Sequence, residues 1–205
     1  MENKKLGIMG GTFDPIHFAH LILAQQCKEE FSLDHILFIP TGIPPHKEKQ
    51  GVSSARQRLA MTELAVADNP FFSCSNLEIV REGNTYTVQT LKALKAEKPD
   101  ADLYFIMGAD SFFQLDTWFE FQDIFGFSKI LLANRGEKDL QIIKQKIQDY
   151  QMLYAAEIYL VHTPNLEISS RALRSKIQQG YSIQYYVPET VLQYIQKEKL
   201  YKMQV

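Results

Sequence analysis

Cysteine is scarce in this chain: Cys27 and Cys74 are the only two among 205 residues. Neither lies in a C-x-x-C pair, and no Cys/His cluster has zinc-site spacing. A structural zinc site is therefore not expected, and a reduced compartment is. No run of about 18 apolar residues is present, so no membrane-spanning helix is expected. No apolar stretch of signal-peptide length precedes Gly10. The reading is a soluble, cytoplasmic protein with no membrane partner. Positive charge is not in excess either: 22 Lys and Arg stand against 24 Asp and Glu, a net charge of −2. No global basic field would draw in nucleic acid, which favours a small-molecule ligand. Also missing are internal repeats, a G-x-x-x-x-G-K-[ST] phosphate loop and any Ser-His-Asp or Cys-His signature.

What is present is ordinary for a globular chain, with 45% hydrophobic and 22% charged residues. The length suits one α/β domain over 1–205, with 168–205 as a helical C-terminal part. Short apolar runs predict strands at Lys5–Met9, Ile36–Ile39, Phe71–Val80, Leu103–Met107, Lys129–Ala133 and Glu157–Val161. Helical patterns separate them: Ile16–Phe31, a helix capped by Ser53 or Ser54 (whose apolar members include Leu59, Met61, Leu64 and Val66), Thr87–Glu97, one or two short helices in Phe112–Phe127, and Asp139–Tyr150. Two more helices follow, Ser169–Gln179 and one after Pro188. Alternating strands and helices predict a doubly wound, Rossmann-like, mostly parallel sheet with helices on both faces. Its ligands should sit beyond the carboxyl ends of the strands.

The unusual residues fall at those ends. Gly10-Gly11-Thr12-Phe13-Asp14-Pro15-Ile16-His17-Phe18-Ala19-His20 joins the first strand to the first helix. Two glycines let the backbone turn and approach a ligand. A new helix offers unpaired N–H groups and the positive end of its dipole, which suit an anion. His17 and His20, three apart, are expected on one helix face, aimed at that anion. Taken singly, each piece is also what an ordinary turn or a pair of surface histidines would give. Far along the chain, Ile168-Ser169-Ser170-Arg171-Ala172-Leu173-Arg174 opens another helix. Cations are disfavoured at a helix start unless a bound anion compensates them; a solvated helix is the alternative.

The first string resembles the G-x-F-D-x-x-H-x-G-H signature of the nucleotidylyltransferase superfamily, with Ala19 where the signature carries glycine. The second resembles its I-S-S-T-x-x-R motif, with Arg171 at the threonine position. Together with the middle segments and the length, they resemble the bacterial nicotinate mononucleotide adenylyltransferases. The resemblance runs from Gly10 to about Ile195. It implies adenylyl transfer from ATP to nicotinate mononucleotide, giving deamido-NAD and pyrophosphate. It also implies a catalytic set of His17, His20 and Arg174. Gly10, Gly11, Thr12, Phe13, Ser169 and Ser170 would bind ATP, with 168–205 completing that site.

The middle of the chain carries the rest. Gly108-Ala109-Asp110 ends the fourth strand; a strand-end glycine with a helix cap is one reading. The resemblance implies the other, a nucleotide site with Gly108 under a base and Asp110 on a ribose. Trp118 is the only tryptophan. It reads as core packing or, by resemblance, as the ring that stacks on the acceptor's pyridine. Tyr86-Thr87 resembles the family's Y-T-x-D-T-L, with Gln89 in place of Asp, and places Thr87 near the nicotinate carboxylate. Pro44-Pro45-His46-Lys47 resembles a P-P-H-K loop, with Lys47 facing acceptor phosphate or simply solvent. Mg²⁺ would arrive mainly on the ATP phosphates, with no protein ligand named. A homo-oligomer stays open. The competing readings are another adenylyltransferase acting on nicotinamide mononucleotide or phosphopantetheine, and a non-catalytic nucleotide-binding module.

Overall fold

The computed structural model describes residues 4–42, 52–133, 140–164 and 166–202. In chain order they form β1 (Lys5–Gly11), α1 (Phe18–Glu30), β2 (His35–Pro40), α2 (Ala55–Val66), β3 (Phe72–Cys74) and α3 (Thr87–Glu97). Then come β4 (Asp102–Gly108), α4 (Ala109–Phe113), a 3₁₀ turn at Leu115–Thr117, α5 (Phe121–Phe127), β5 (Lys129–Ala133) and α6 (Leu140–Tyr154). β6 (Ile158–Val161), α7 (Ser170–Gln178) and α8 (Glu189–Lys197) complete the chain.

The six strands lie in the order β3-β2-β1-β4-β5-β6, and all five pairings are parallel. The chain winds outward from β1 to β3 and then returns to place β4 on the other side of β1. That reversal opens a crevice at the carboxyl ends of β1 and β4, the place where such sheets bind ligands. β1 and β4 read as unbroken apolar runs because both their faces are covered. Alternate residues go to opposite faces. Met9, Phe38, Ile106 and Leu131 join the core that includes Val191 and Ile195 of α8. Ile8, Ile39, Phe105 and Leu132 join the core under α3, α5 and α6.

Four expectations need correction. The third strand is short, Phe72–Cys74. Beyond it the chain turns, with the Asn76 carbonyl accepting from both Ile79 and Val80 at 2.8 and 3.0 Å, and Val80 is 66% exposed. Its apolar pattern reflects a turn that buries Glu78 rather than a continuing ladder. The helix expected to end at Tyr150 runs on to Tyr154, because Tyr150 and Tyr154 both pack on Phe121 and Phe125. Leu64, expected on the buried face of α2, is exposed. Asp110 lies within the first turn of α4 and is exposed, and the cap position is Gly108.

Among the described residues, no helix is long and apolar enough to cross a membrane. Cys27 and Cys74 are both free. Burial pushes each thiol up to about 12, so very little thiolate, the reactive species, exists near neutral pH. Native protein at pH 8 should therefore react with an aromatic disulfide reagent far more slowly than unfolded protein. Rapid release of chromophore from native protein would contradict this burial.

Candidate active site

β1 ends at Gly11 and the chain turns through Thr12 to Ile16 into α1. Phe13 takes a left-handed backbone with φ 49°, a costly setting for a bulky residue that its surroundings must hold. Its ring is buried, tilted against Phe38 at 6.0 Å and edge-on to His20 at 5.1 Å. His17 is the N-cap of α1, outside the helix, and its backbone is extended. The expectation that both histidines share a helix face is thus corrected. The cap geometry folds the His17 ring onto the His20 ring, stacked at 3.7 Å and 22°. The His17 N–H donates to His20 Nδ1 at 3.3 Å. A neutral His20 ring then carries its proton on Nε2, which becomes a donor. The first turn of α1 holds no acidic residue, so the positive dipole end is not offset there.

The second motif docks on this loop. Ser169 caps α7 by accepting from the Ala172 N–H at 3.2 Å. Ser170 Oγ donates to the Pro15 carbonyl at 2.9 Å. Arg174 Nη1 donates to the Asp14 carbonyl at 2.7 Å and lies 3.6 Å from Asp14 Oδ2. Arg171 is exposed on the outside of the helix. Residues more than 150 positions apart in sequence are thereby brought together at Asp14-Pro15.

Asp14 reads in the sequence as a turn initiator, yet it is 1% exposed. Its carboxylate accepts from the Ser53 N–H at 3.3 Å and from the Tyr201 hydroxyl at 2.7 Å. Burial and the neighbouring carboxylate push the Tyr201 hydroxyl well above its ordinary range, so it stays a donor. Tyr201 was not legible as part of the site, nor was its pairing with Asp14, because nothing local marks partners 187 residues apart.

Beside the loop lies a cavity of roughly 280 Å³ in the crevice between β1 and β4. Gly10, Gly11 and Thr12 form one wall; Tyr86, Thr87 and Trp118 line others. α3 begins at Thr87, with Tyr86 as an N-cap that supplies no side-chain cap and no acid in the first turn. The Thr87 and Val88 N–H groups donate to no described residue. Trp118 is half-buried, edge-on to Phe105 at 6.3 Å, so it packs and lines the cavity at once. Tyr86 leans on Phe119 with ring centroids 4.6 Å apart. Gln89 is exposed and absent from the lining.

Glu78, missed in the sequence, forms a buried part of the wall. Burial raises its carboxyl pKa, while hydrogen bonds from Thr90, Thr85 and the Gly42 N–H oppose the rise. Thr90 Oγ1 donates at 2.8 Å. A Cβ on Gly42 would run into the Glu78 carbonyl, so only glycine fits there. A Cβ on Gly108 would meet nothing within 4 Å, which leaves the backbone open to a flat group above it. Lys47 lies outside the described residues. Among the described residues, no group of three or more His, Cys, Asp or Glu has the arrangement to hold a metal ion.

Residues 8–176 match the cytidylyltransferase-like family. The probable nicotinate-nucleotide adenylyltransferase of Lachnoclostridium phytofermentans is 43% identical, over 97% of this chain and 99% of that protein. The protein of the same name from Desulfitobacterium hafniense strain Y51 is 44% identical, over 98% and 97%. The chain belongs to the nicotinate-nucleotide adenylyltransferase family. Members are nucleotidyltransferases, and the cavity and the two docked motifs lie within the matched span. The fold is shared with Plasmodium falciparum nicotinic acid mononucleotide adenylyltransferase, solved with NaAD. The TM-score is 0.79 at 23% identity, over 97% of both chains.

Proposed function

We propose that this nucleotidyltransferase joins ATP to nicotinate mononucleotide, releasing pyrophosphate and giving deamido-NAD for NAD synthesis. The observation that carries the reading is the junction at Asp14-Pro15. There the N-terminus of α1 and the Ser170–Arg174 face of α7 meet on one loop, beside a cavity that receives the uncapped N-terminus of α3. One helix pair suits a polyphosphate and the third helix start suits a second anion.

In this reading Gly10, Gly11, Thr12, Phe13, Ser169 and Ser170 cradle the ATP phosphates, and 168–205 completes that site. Gly108 and Asp110 face the nucleoside. Trp118 stacks on the acceptor ring, while Tyr86 and Thr87 hold its carboxylate. The acceptor's phosphate is largely dianionic at neutral pH, its second pKa being about 6. Its oxygen attacks the α-phosphorus, the bond to the β-phosphate oxygen breaks, and pyrophosphate leaves. No general base is needed. His20, His17 and Arg174 offset the charge that builds on the leaving group.

Asp14, the buried carboxylate of the loop, is taken up by Ser53, Tyr201 and Arg174. It is not offered to a metal, which fits a divalent cation, Mg²⁺, arriving on the ATP phosphates. The cation would add charge neutralisation there. A cytoplasmic setting suits such small, charged substrates.

The test is pyrophosphate release with ATP and three acceptors in parallel: nicotinate mononucleotide, nicotinamide mononucleotide and phosphopantetheine. Thr87 and the α3 N–H groups match a carboxylate, whereas an amide would set donors against donors. An unpaired buried polar group costs about 1–3 kcal/mol, or roughly tenfold to a hundredfold in kcat/KM. Nicotinate mononucleotide should lead by that factor. Equal kcat/KM for acid and amide would remove the carboxylate site, and transfer to phosphopantetheine alone would replace the acceptor.

A further inference from the structure

Arg58 is 2% exposed, and the carboxylates nearest to it are all engaged elsewhere. Asp14 is bound by Ser53 and Tyr201, and Glu78 by Thr90. Its guanidinium instead donates to backbone carbonyls from separate stretches of chain. Nη1 reaches Thr12 at 2.9 Å, Nη2 reaches Gly42 at 3.0 Å and Nε reaches Ser53 at 3.2 Å. A buried cation whose hydrogen bonds to described residues all go to carbonyl oxygens, with Asp14 and Glu78 acting on it only through their charge, is an expensive arrangement for mere packing. Only the rigid, forked guanidinium can hold three such groups in fixed directions.

The three carbonyls belong to the turns that follow β1 and β2 and to the stretch that leads into α2. Thr12 follows the glycines of β1 and lines the cavity. Gly42 follows β2, and its N–H binds the Glu78 carboxyl. Glu78 in turn accepts from Thr90 of α3. A continuous chain of hydrogen bonds thus runs from the glycine loop, through Arg58, Gly42 and Glu78, to the helix at the acceptor wall. At the loop end, the peptide joining Thr12 to Phe13 is planar and trans, so its C=O and N–H point in opposite directions. With the Thr12 carbonyl drawn in to Arg58, the Phe13 N–H points away from it. That N–H donates to no described residue.

We propose that Arg58 is a positioning residue for adenylyl transfer, which holds the phosphate loop and the acceptor wall in register and presents the Phe13 N–H to the ATP phosphates. The inference rests on the function proposed above. It separates Arg58 from groups that touch substrate: Arg58 itself makes no contact with substrate, and loss of register misaligns attacking oxygen and phosphorus. A misplacement of about 1 Å can cost ~10²-fold in rate.

Arg58→Lys keeps the charge but replaces the fork by a single ammonium. Assayed well below its melting temperature, it should lose roughly tenfold or more in kcat, with both Michaelis constants within about threefold of the unmodified enzyme. Arg58→Lys that is folded and keeps kcat within about twofold overturns the proposal, as does a kcat loss that merely follows the unfolded fraction.

A second measurement needs no variant. In ¹⁵N-labelled wild-type protein saturated with α,β-methylene-ATP, the Phe13 amide should shift and exchange more slowly with solvent. An unmoved Phe13 amide in that saturated complex overturns the proposal even if Arg58→Lys fails to fold. Wild-type protein that neither binds the analogue nor releases pyrophosphate overturns the proposed function itself; an active wild type with a fully active Arg58→Lys overturns only the role of Arg58.

Discussion

His20→Ala should lower kcat by ~10²–10³, the scale of losing one preorganised donor to a charge that builds in the transition state. The fold should change little. His20 is half-buried, and its ring accepts the His17 N–H at 3.3 Å, which completes the cap of α1. Losing such a cap costs about 1 kcal/mol, which for a chain of this size lowers the melting temperature by about 2–4 °C. The barrier effect, about 2.7–4 kcal/mol, is the larger of the two. His20 is chosen over His17 because His17 is 2% exposed and is itself the cap residue of α1, so its loss would mix both effects. The variant is checked by kcat at saturating ATP alongside a thermal melt. A kcat within about threefold of the unmodified enzyme would remove His20 from the phosphate site.

That argument uses geometry which sequence spacing alone does not contain. A three-residue interval places two histidines on one face only if both are inside the helix, and the cap position of His17 breaks that condition. Elsewhere local pattern suffices. β1, β4 and β5 are legible because central parallel strands need apolar residues on both faces. α3 was expected over Thr87–Glu97, the span observed. There a threonine start and Pro99 bracket one helical repeat. The overlong third strand shows the limit: Leu77, Ile79 and Val80 look like a ladder, but the buried Glu78 network decides their path.

Arg58 and Tyr201, and their convergence with Asp14, lie outside any local rule. A carboxylate, a guanidinium and a phenol far apart in sequence acquire meaning only when the sheet and α8 bring them together. The motif residues around Gly10 and Ser169 were legible through their resemblance to a family. Their mutual docking through Pro15 and Asp14 is what the structure adds.

Arg174→Ala should show two losses at once, and their separation is the informative part. Arg174 donates to the Asp14 carbonyl at 2.7 Å and sits 3.6 Å from a carboxylate oxygen of the same residue. Its own side chain is 22% exposed, while that of Asp14 is 1% exposed. Truncation leaves Asp14 with Ser53 and Tyr201 as hydrogen-bond partners. A lost hydrogen bond to a charged group costs about 1.5–3 kcal/mol, discounted because Arg174 is partly hydrated. At 2–4 °C per kcal/mol, the melting temperature should fall by roughly 3–10 °C.

The catalytic loss should be greater. If Arg174 also faces the ATP phosphates, turnover falls by ~10²–10³ at temperatures where the variant is folded. Arg174→Lys divides the two roles. An ammonium can stay near Asp14 and restore part of the stability, but it has no fork to serve the loop and a phosphate together. Arg174→Lys should therefore melt closer to the unmodified chain than Arg174→Ala does, yet remain at least about tenfold slower. Full activity in Arg174→Lys, or activity in both variants that simply follows the folded fraction, would make Arg174 an anchor for α7 and nothing more.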